Sequence, residues 1–313
     1  MRNKIIFLLS LLTFISLLSG TTLGNEANIK QNINQLDDSL NGKILKSKKV
    51  KVNKNLLNEF DKTIIDKHSF YKIRYLSDGL EVVGYMVRPR KEGNYPVIIY
   101  NRGGNREFGK IKKSTLAFFS YLASEKYVII GSQYRGNDGG EGREEFGGKD
   151  VNDVLNLVPL VKSLDCTQQN KIGMLGLSRG GMMTYLAIKN DIDIDAAVVM
   201  GGVTDLIQNY NERGEKMREV LEELIGGSPS KYEQEYKKRS AYYWPEKIDK
   251  PTLILHGKFD WRVDVSQAKK LANKLEKLNK THKLIIYKDD HGLTNSINKW
   301  TKEMYKWFDK HLE

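Results

Sequence analysis

The chain has 313 residues, with 51 Lys and Arg against 39 Asp and Glu, and a formal net charge of +12. That length holds one large domain with a sizeable core plus extra segments, and is short for two domains. A single cysteine, Cys166, excludes an intramolecular disulfide framework, and no zinc-module spacing, helix-turn-helix or aromatic nucleic-acid platform accompanies the positive charge.

The chain opens with Arg2 and Lys4, then an apolar run over residues 5–18, then the small and polar SGTTLGN. The run is shorter than the roughly 20 residues that span a bilayer, so residues 1–24 are expected to be a secretory signal peptide, with an uncleaved membrane anchor as the alternative. Export to the medium or the cell envelope follows. Solvated lysines account for the net charge, and attraction to an acidic lipid surface or a polyanionic wall is the other reading. Residues 25–65 are rich in Asn, Lys, Asp and Gln and too polar to build a core alone; a tether, or a helix or two laid against the main domain, is expected there.

From residue 66 the pattern changes. FYKIRYLSDGLEVVGYMVRP carries two β-branched or aromatic runs around Ser-Asp-Gly, a hairpin signal. Strand candidates YPVIIYN, YVIIGSQ, KIGMLGLS, DAAVVMGG, TLILHG and HKLIIYKD follow, alternating with helical stretches and ending in an amphipathic helix through Trp300 and Trp307. With the hairpin these make eight strands in a mainly parallel α/β sheet with helices on both faces. At about 205–250 the rhythm breaks into a polar, aromatic helical insertion between two strands. An insertion there overhangs the carboxyl ends of the sheet, where open α/β sheets bind ligands.

Gly176-Leu177-Ser178-Arg179-Gly180 is G-x-S-x-G between a strand and a helix. A tight strand-to-helix turn needs small neighbours and lifts a serine hydroxyl clear of the sheet. A glycine-rich turn with an incidental serine is the alternative on the motif alone. A serine needs a base, and the base an acid to orient it. Asp260 after TLILHG and His291 after LIIYKD fall in loops at the same sheet edge, in the chain order Ser, Asp, His. His256, His282 and His68 read as structural or misplaced, Asp264 as a helix cap, and Asp289 and Asp290 as loop-shaping. The backbone N–H of Arg179, and those of Gly103 and Gly104 in VIIYNRGGNREFG, are the candidate oxyanion donors. Cys166, in a helix-to-strand connection, reads as a structural thiol.

Over residues 70–313 the sequence resembles the catalytic domain of the prolyl oligopeptidase family of α/β-hydrolases. The likeness rests on QYRGNDGGEGREEFGGKDVNDV, GLSRGGMMTYLA, KRSAYYWPEKIDKPTLILHGKFDWRV and DDHGL. It implies the α/β-hydrolase fold for residues 66–313, the nucleophile, orienter and base roles for Ser178, Asp260 and His291, and a structural role for Asp150. The chain departs from the family pattern at Arg102, before the glycine pair, and at Arg179, after the serine, where members often carry tyrosine or, before the glycine pair, histidine.

These departures add to a basic set of Arg102, Arg106, Arg135, Arg143 and Arg179 near the expected mouth. Arginine binds carboxylates and phosphates through paired hydrogen bonds, so Arg102 and Arg135, with Trp261, are taken as candidate substrate contacts. The competing reading pairs these arginines with Glu107, Asp138, Glu141, Glu144 or Glu145. Tyr242, Tyr243 and Trp244 either wall a pocket or pack in the core. Acyl transfer on short peptides is the expected activity, without metal, organic cofactor or nucleic acid. An esterase acting on small acyl esters or acylated carbohydrates is the alternative, and an idle surface-binding protein is a distant third.

Overall fold

Asp78 and Gly79 take φ of 51° and 75° at the tip of the expected hairpin, the left-handed pair that matches a two-residue turn to the twist of its strands. In the computed structural model, which describes residues 39–57 and 61–312, this turn joins β2 (His68–Ser77) to β3 (Leu80–Pro89) in continuous antiparallel register from His68↔Pro89 to Ser77↔Leu80. The signal-peptide region lies outside the described residues, among which no helix is long and apolar enough to cross a membrane.

Among the described residues the sheet has nine strands, one more than expected, and numbered in chain order from Ile44–Lys49 to His282–Tyr287 they lie in the order β1-β2-β3-β5-β4-β6-β7-β8-β9. The additional strand, β1 (Ile44–Lys49), pairs antiparallel with β2 in the segment read as a polar tether or helices. Its ILKSKK sequence has no apolar alternation because an edge strand mostly exposed to water is held by its backbone ladder rather than by side-chain burial. Two short 3-10 helices, Lys54–Leu56 and Lys62–Lys67, follow it, and Leu57 and Ile65 are buried. From Asn41 onward the chain is one compact unit, so the folded part begins well before residue 66.

The central strands are β4 (Tyr95–Asn101), β5 (Val128–Ser132), β6 (Thr167–Leu177), β7 (Ala196–Met200), β8 (Thr252–Gly257) and β9 (His282–Tyr287), all parallel to their neighbours in this set. Their apolar runs are continuous because both faces are covered, and the two-residue period divides each run between two cores. Val97, Ile99, Val128, Ile130, Ala197 and Val199 face one core; Ile98, Tyr100, Ile129, Val198 and Met200 face the other.

Helices α1 (Lys113–Ala123) and, after β9, α9 (Ile297–His311) cover the second face, the latter through Trp300, Met304, Trp307 and Phe308. On the first face lie α2 (Asn152–Leu155), α3 (Leu157–Lys162), α4 (Arg179–Lys189) and α8 (Val265–Lys277). The insertion between β7 and β8 folds as α5 (Leu206–Glu212), α6 (Glu215–Ile225) and α7 (Pro229–Lys238).

Candidate active site

Ser178 joins β6 directly to α4 and has φ 58° and ψ −123°, a conformation glycine adopts readily and a side chain does not. The surrounding glycines are there for close approach. A Cβ on Gly180 would lie 1.9 Å from the Asn101 carbonyl oxygen at the end of β4, and one on Gly176 would lie 2.3 Å from the Gly180 oxygen. The turn is therefore wedged between the carboxyl ends of β4 and β7, and the Ser178 N–H donates to the Met200 oxygen at 2.9 Å. Gly103 packs so close that a Cβ there would sit 3.1 Å from the Ser178 Cβ.

Asp260 follows β8 and its carboxylate is fully buried. One oxygen, Oδ1, accepts the N–H groups of Arg262 and Val263 at 2.9 and 3.0 Å. The other, Oδ2, lies 2.7 Å from His291 Nδ1 and 3.2 Å from His256 Nε2. Burial alone would raise the carboxyl pKa, but hydrogen bonds from His256 and His291 outweigh it and hold the group well below the ordinary carboxylate range. A Cβ on Gly257 would lie 2.1 Å from the Asp290 oxygen, which is how the loops after β8 and β9 come together. Gly201, just after Met200, has φ 54°, and a Cβ on it would sit 3.2 Å from His291 Nδ1 and 3.3 Å from Asp260 Oδ2. The end of β7 thus touches both the Asp260–His291 pair and the backbone of Ser178.

The secondary candidates fall where expected. Asp264 caps α8 by accepting the Ser266 N–H at 2.8 Å. Asp289 accepts from Asp290 N–H and Asn295, and Asp290 from the Gly292 N–H, so both shape the His291 loop. His282 starts β9 and His68 starts β2, away from the Ser178 turn. His256 does more than the structural role expected of it, since it also approaches Asp260. It is buried, its Nε2 is 2.8 Å from the Val263 oxygen, and its approach to Asp260 could not be seen from spacing.

The basic set resolves mainly into intramolecular pairs. Arg102 is buried and donates to the carbonyl oxygens of Gln133, at 3.0 and 3.1 Å, and of Gly103 and Phe108, bracing the loop that carries Gly103 and Gly104. Arg135 donates to Asp153 and Asp78. The structure therefore does not place Arg102 and Arg135 on the substrate, because both guanidinium groups are directed at protein acceptors beneath the surface. Arg179 is also buried. Its side chain pairs with Glu144 and Asp150, donates to the Gly104 oxygen at 3.2 Å and lies between the rings of Tyr134 and Phe146 at 4.9 and 4.6 Å. Asp150 also accepts from the Gly147 and Glu145 N–H groups, in keeping with the structural role given to it. Burial opposes ionisation of Glu144, but Arg179 and the Arg106 N–H keep its carboxyl below the usual range. Arg106 and Arg143 pair with Glu223.

Ser178 opens into a pocket of about 90 Å³ whose walls include Gly104, Phe108, Phe146, Val203, Met217 and Val263. Asn209, Arg213 and Arg262 complete its polar side. None of these three was singled out in the sequence, although Asn209 and Arg213 belong to the insertion expected to overhang this end of the sheet. Trp261 stands exposed beside the pocket, with the Arg262 and Arg213 guanidinium groups 4.8 and 5.5 Å from its ring. Tyr242, Tyr243 and Trp244 do not line it: Trp244 is buried and donates to the Lys237 oxygen, and Tyr242 lies under Lys274. Among the described residues no group of His, Cys, Asp and Glu gathers as a metal site.

The sequence pattern of the prolyl oligopeptidase family matches residues 114–313. The chain is 33% identical over 242 residues to the uncharacterized peptidase YtmA of Bacillus subtilis, an alignment covering 74% of this chain and 93% of that protein. It is 26% identical over 240 residues to dipeptidyl-peptidase 5 of Porphyromonas endodontalis, covering 70% of this chain and 33% of that protein. Among solved structures, the acylaminoacyl peptidase of Pyrococcus horikoshii superposes with a TM-score of 0.67 at 23% identity, over 84% of this chain and 44% of the other. The chain thus spans nearly the whole of YtmA but less than half of the other two, and the last likeness is one of fold.

Proposed function

The chain belongs to the prolyl oligopeptidase family and is a serine hydrolase, and from that premise we propose that it is an exported peptidase that cleaves short peptides through an acyl-enzyme on Ser178. The observation that carries the assignment is the 2.7 Å contact between the buried Asp260 carboxylate and His291 Nδ1, at the same sheet edge as the Ser178 turn. A carboxylate on Nδ1 fixes the imidazole tautomer that leaves Nε2 free to accept a proton, and stabilises the cation once it has done so.

In this reading His291 takes the Ser178 proton as the hydroxyl attacks the peptide carbonyl. The backbone N–H of Arg179 and those of the Gly103–Gly104 turn stabilise the oxyanion, worth about 3–4 kcal/mol per donor in well-studied hydrolases. His291 then gives the proton to the leaving amine, and water releases the acyl group by the reverse steps. The buried arginines brace the oxyanion segments: Arg179 joins the serine turn to the glycine loop by donating to the Gly104 oxygen, and Arg102 donates to the Gly103 oxygen within that loop. Export is supported by the basic start and apolar run of residues 1–24.

A fluorophosphonate should label Ser178 in the wild type, as read by peptide mass spectrometry, and an aminoacyl anilide should be cleaved by the wild type and not by Ser178→Ala. Turnover of the matched ester with no anilide cleavage would replace the peptidase by an esterase. Absence of labelling would remove the acyl-enzyme mechanism altogether.

A further inference from the structure

Arg213 and Arg262 line the Ser178 pocket without a carboxylate partner among the described residues. They contrast with the five arginines expected at the mouth, all of which are paired with acids. Arg213 Nη1 donates to the Arg262 carbonyl oxygen at 3.2 Å. The Arg262 guanidinium lies 5.3 Å from the Phe108 ring and 4.8 Å from that of Trp261. Aromatic rings steady a cation and leave its N–H groups for another acceptor.

The nearby acids are engaged elsewhere. Glu212 accepts from Gln208 and Gln267, and Asp260 is bonded to His291 and to the backbone of Arg262 and Val263. Burial, and next the charge of Arg262, draw the Arg213 guanidinium below its ordinary range, with Asp260 acting in the opposite sense. Arginine stays charged through any ordinary pH change, so two like charges are held together beside the apolar walls of Phe108, Phe146, Val203, Met217 and Val263. An anion there would relieve their repulsion, in surroundings where its attraction to them exceeds that in water.

We propose that Arg213 and Arg262 form a carboxylate-binding subsite that selects substrates with a negative charge close to the scissile carbonyl. The carboxylate is either an acidic side chain or the free carboxyl terminus of a short peptide. The proposal rests on Ser178 being the point of attack, because the pocket that Ser178 opens into is the one the two arginines line. The two side chains come from different places, Arg213 from the end of α5 in the insertion and Arg262 from the loop after β8. The insertion thereby contributes specificity while the sheet supplies the chemistry.

The test measures binding without turnover. Full-length protein carrying Ser178→Ala is titrated calorimetrically with three N-acetylated tripeptides: Ala-Glu-Ala amide, Ala-Gln-Ala amide and Ala-Gln-Ala free acid. At low salt at least one charged peptide should bind about tenfold more tightly than the neutral one, the gain expected of a charge-assisted hydrogen bond. Which of the two it is identifies the source of the carboxylate. That advantage should fall to about twofold or less on adding Arg213→Gln or Arg262→Gln, and return in part with Arg213→Lys, which restores the charge without the planar fork. Equal binding of all three peptides, or an advantage that survives both glutamine substitutions, would overturn the subsite. Fluorophosphonate labelling of wild-type Ser178, run in parallel, reports on the hydrolase mechanism separately.

Discussion

Two buried acidic clusters flank Ser178, and they differ in the nitrogen groups that meet them. Glu144 and Asp150 face Arg179; Asp260 faces His256 and His291. A guanidinium never releases its proton in the working pH range, so the first cluster is a set of fixed charges. It ties the turn of Ser178 to the loop of Gly104, and its guanidinium exchanges no proton in that range. An imidazole has a ring nitrogen that can take up and return a proton, so the second cluster sets its buried carboxylate beside a group able to do proton chemistry. In the proposed mechanism the identity of the nitrogen partner, guanidinium or imidazole, separates scaffold from chemistry where the acids are alike in burial.

The sharpest separation should come from Asp260→Asn, which keeps the shape but removes the charge that orients His291. We expect kcat/KM on an anilide to fall by about 10⁴-fold, measured as initial rates against the wild type. A loss below tenfold would place Asp260 with the scaffold acids.

Next in size is Arg179→Met, which leaves Asp150 buried without its cation and Glu144 with only the more distant Arg102, at 3.9 Å. The expected loss is about 3–5 kcal/mol of unfolding free energy, read from urea titrations. A loss under about 1 kcal/mol would show that the cluster does not brace the fold.

Acid should affect both clusters in the same direction. The folded pKa values of Glu144 and Asp260 are depressed, Asp260 strongly. Each therefore contributes stability that is present above the unfolded carboxyl value of about 4 and disappears as pH falls toward the folded value. The stability gap between wild type and Glu144→Gln, and likewise Asp260→Asn, should be widest at pH 6 and narrow by pH 3, taking those as roughly either side of that value. A gap that widens on acidification would reverse the assigned sign.

The smallest stability effect belongs to Arg213→Gln. With no acid among the described residues to leave unpaired, its unfolding free energy should lie within about 0.5 kcal/mol of the wild type. A change as large as that of Arg179→Met would mean that Arg213 braces the fold as well.

What the sequence disclosed, and what it hid, follows the same division. The Ser178 turn was legible because its requirements are local: Gly176 and Gly180 are needed within two residues of the serine, and strand ends announce themselves by apolar runs. Asp260 and His291 were legible for the same reason, each a short step past a strand. The arginines were not, because whether one is free depends on partners far along the chain. Arg179 meets Glu144, 35 residues away, Arg102 meets the Gln133 carbonyl, 31 residues away, and Arg106 meets Glu223, 117 residues away. Pairing of this kind cancels charges that look available in one dimension, and it left Arg213 and Arg262 unnoticed. The strand Ile44–Lys49 was hidden differently, since its stability lies in a backbone ladder that leaves no apolar signature.

The left-handed backbone of Ser178 sets folding against function. A non-glycine residue held there costs on the order of 1–3 kcal/mol, whereas glycine would give up only about 0.5–1 kcal/mol in lost chain entropy. A library of this protein screened for heat resistance alone would therefore drift toward glycine at position 178. It would yield sturdier molecules with no hydroxyl to offer, so under the proposed mechanism only selection for turnover keeps the serine in place.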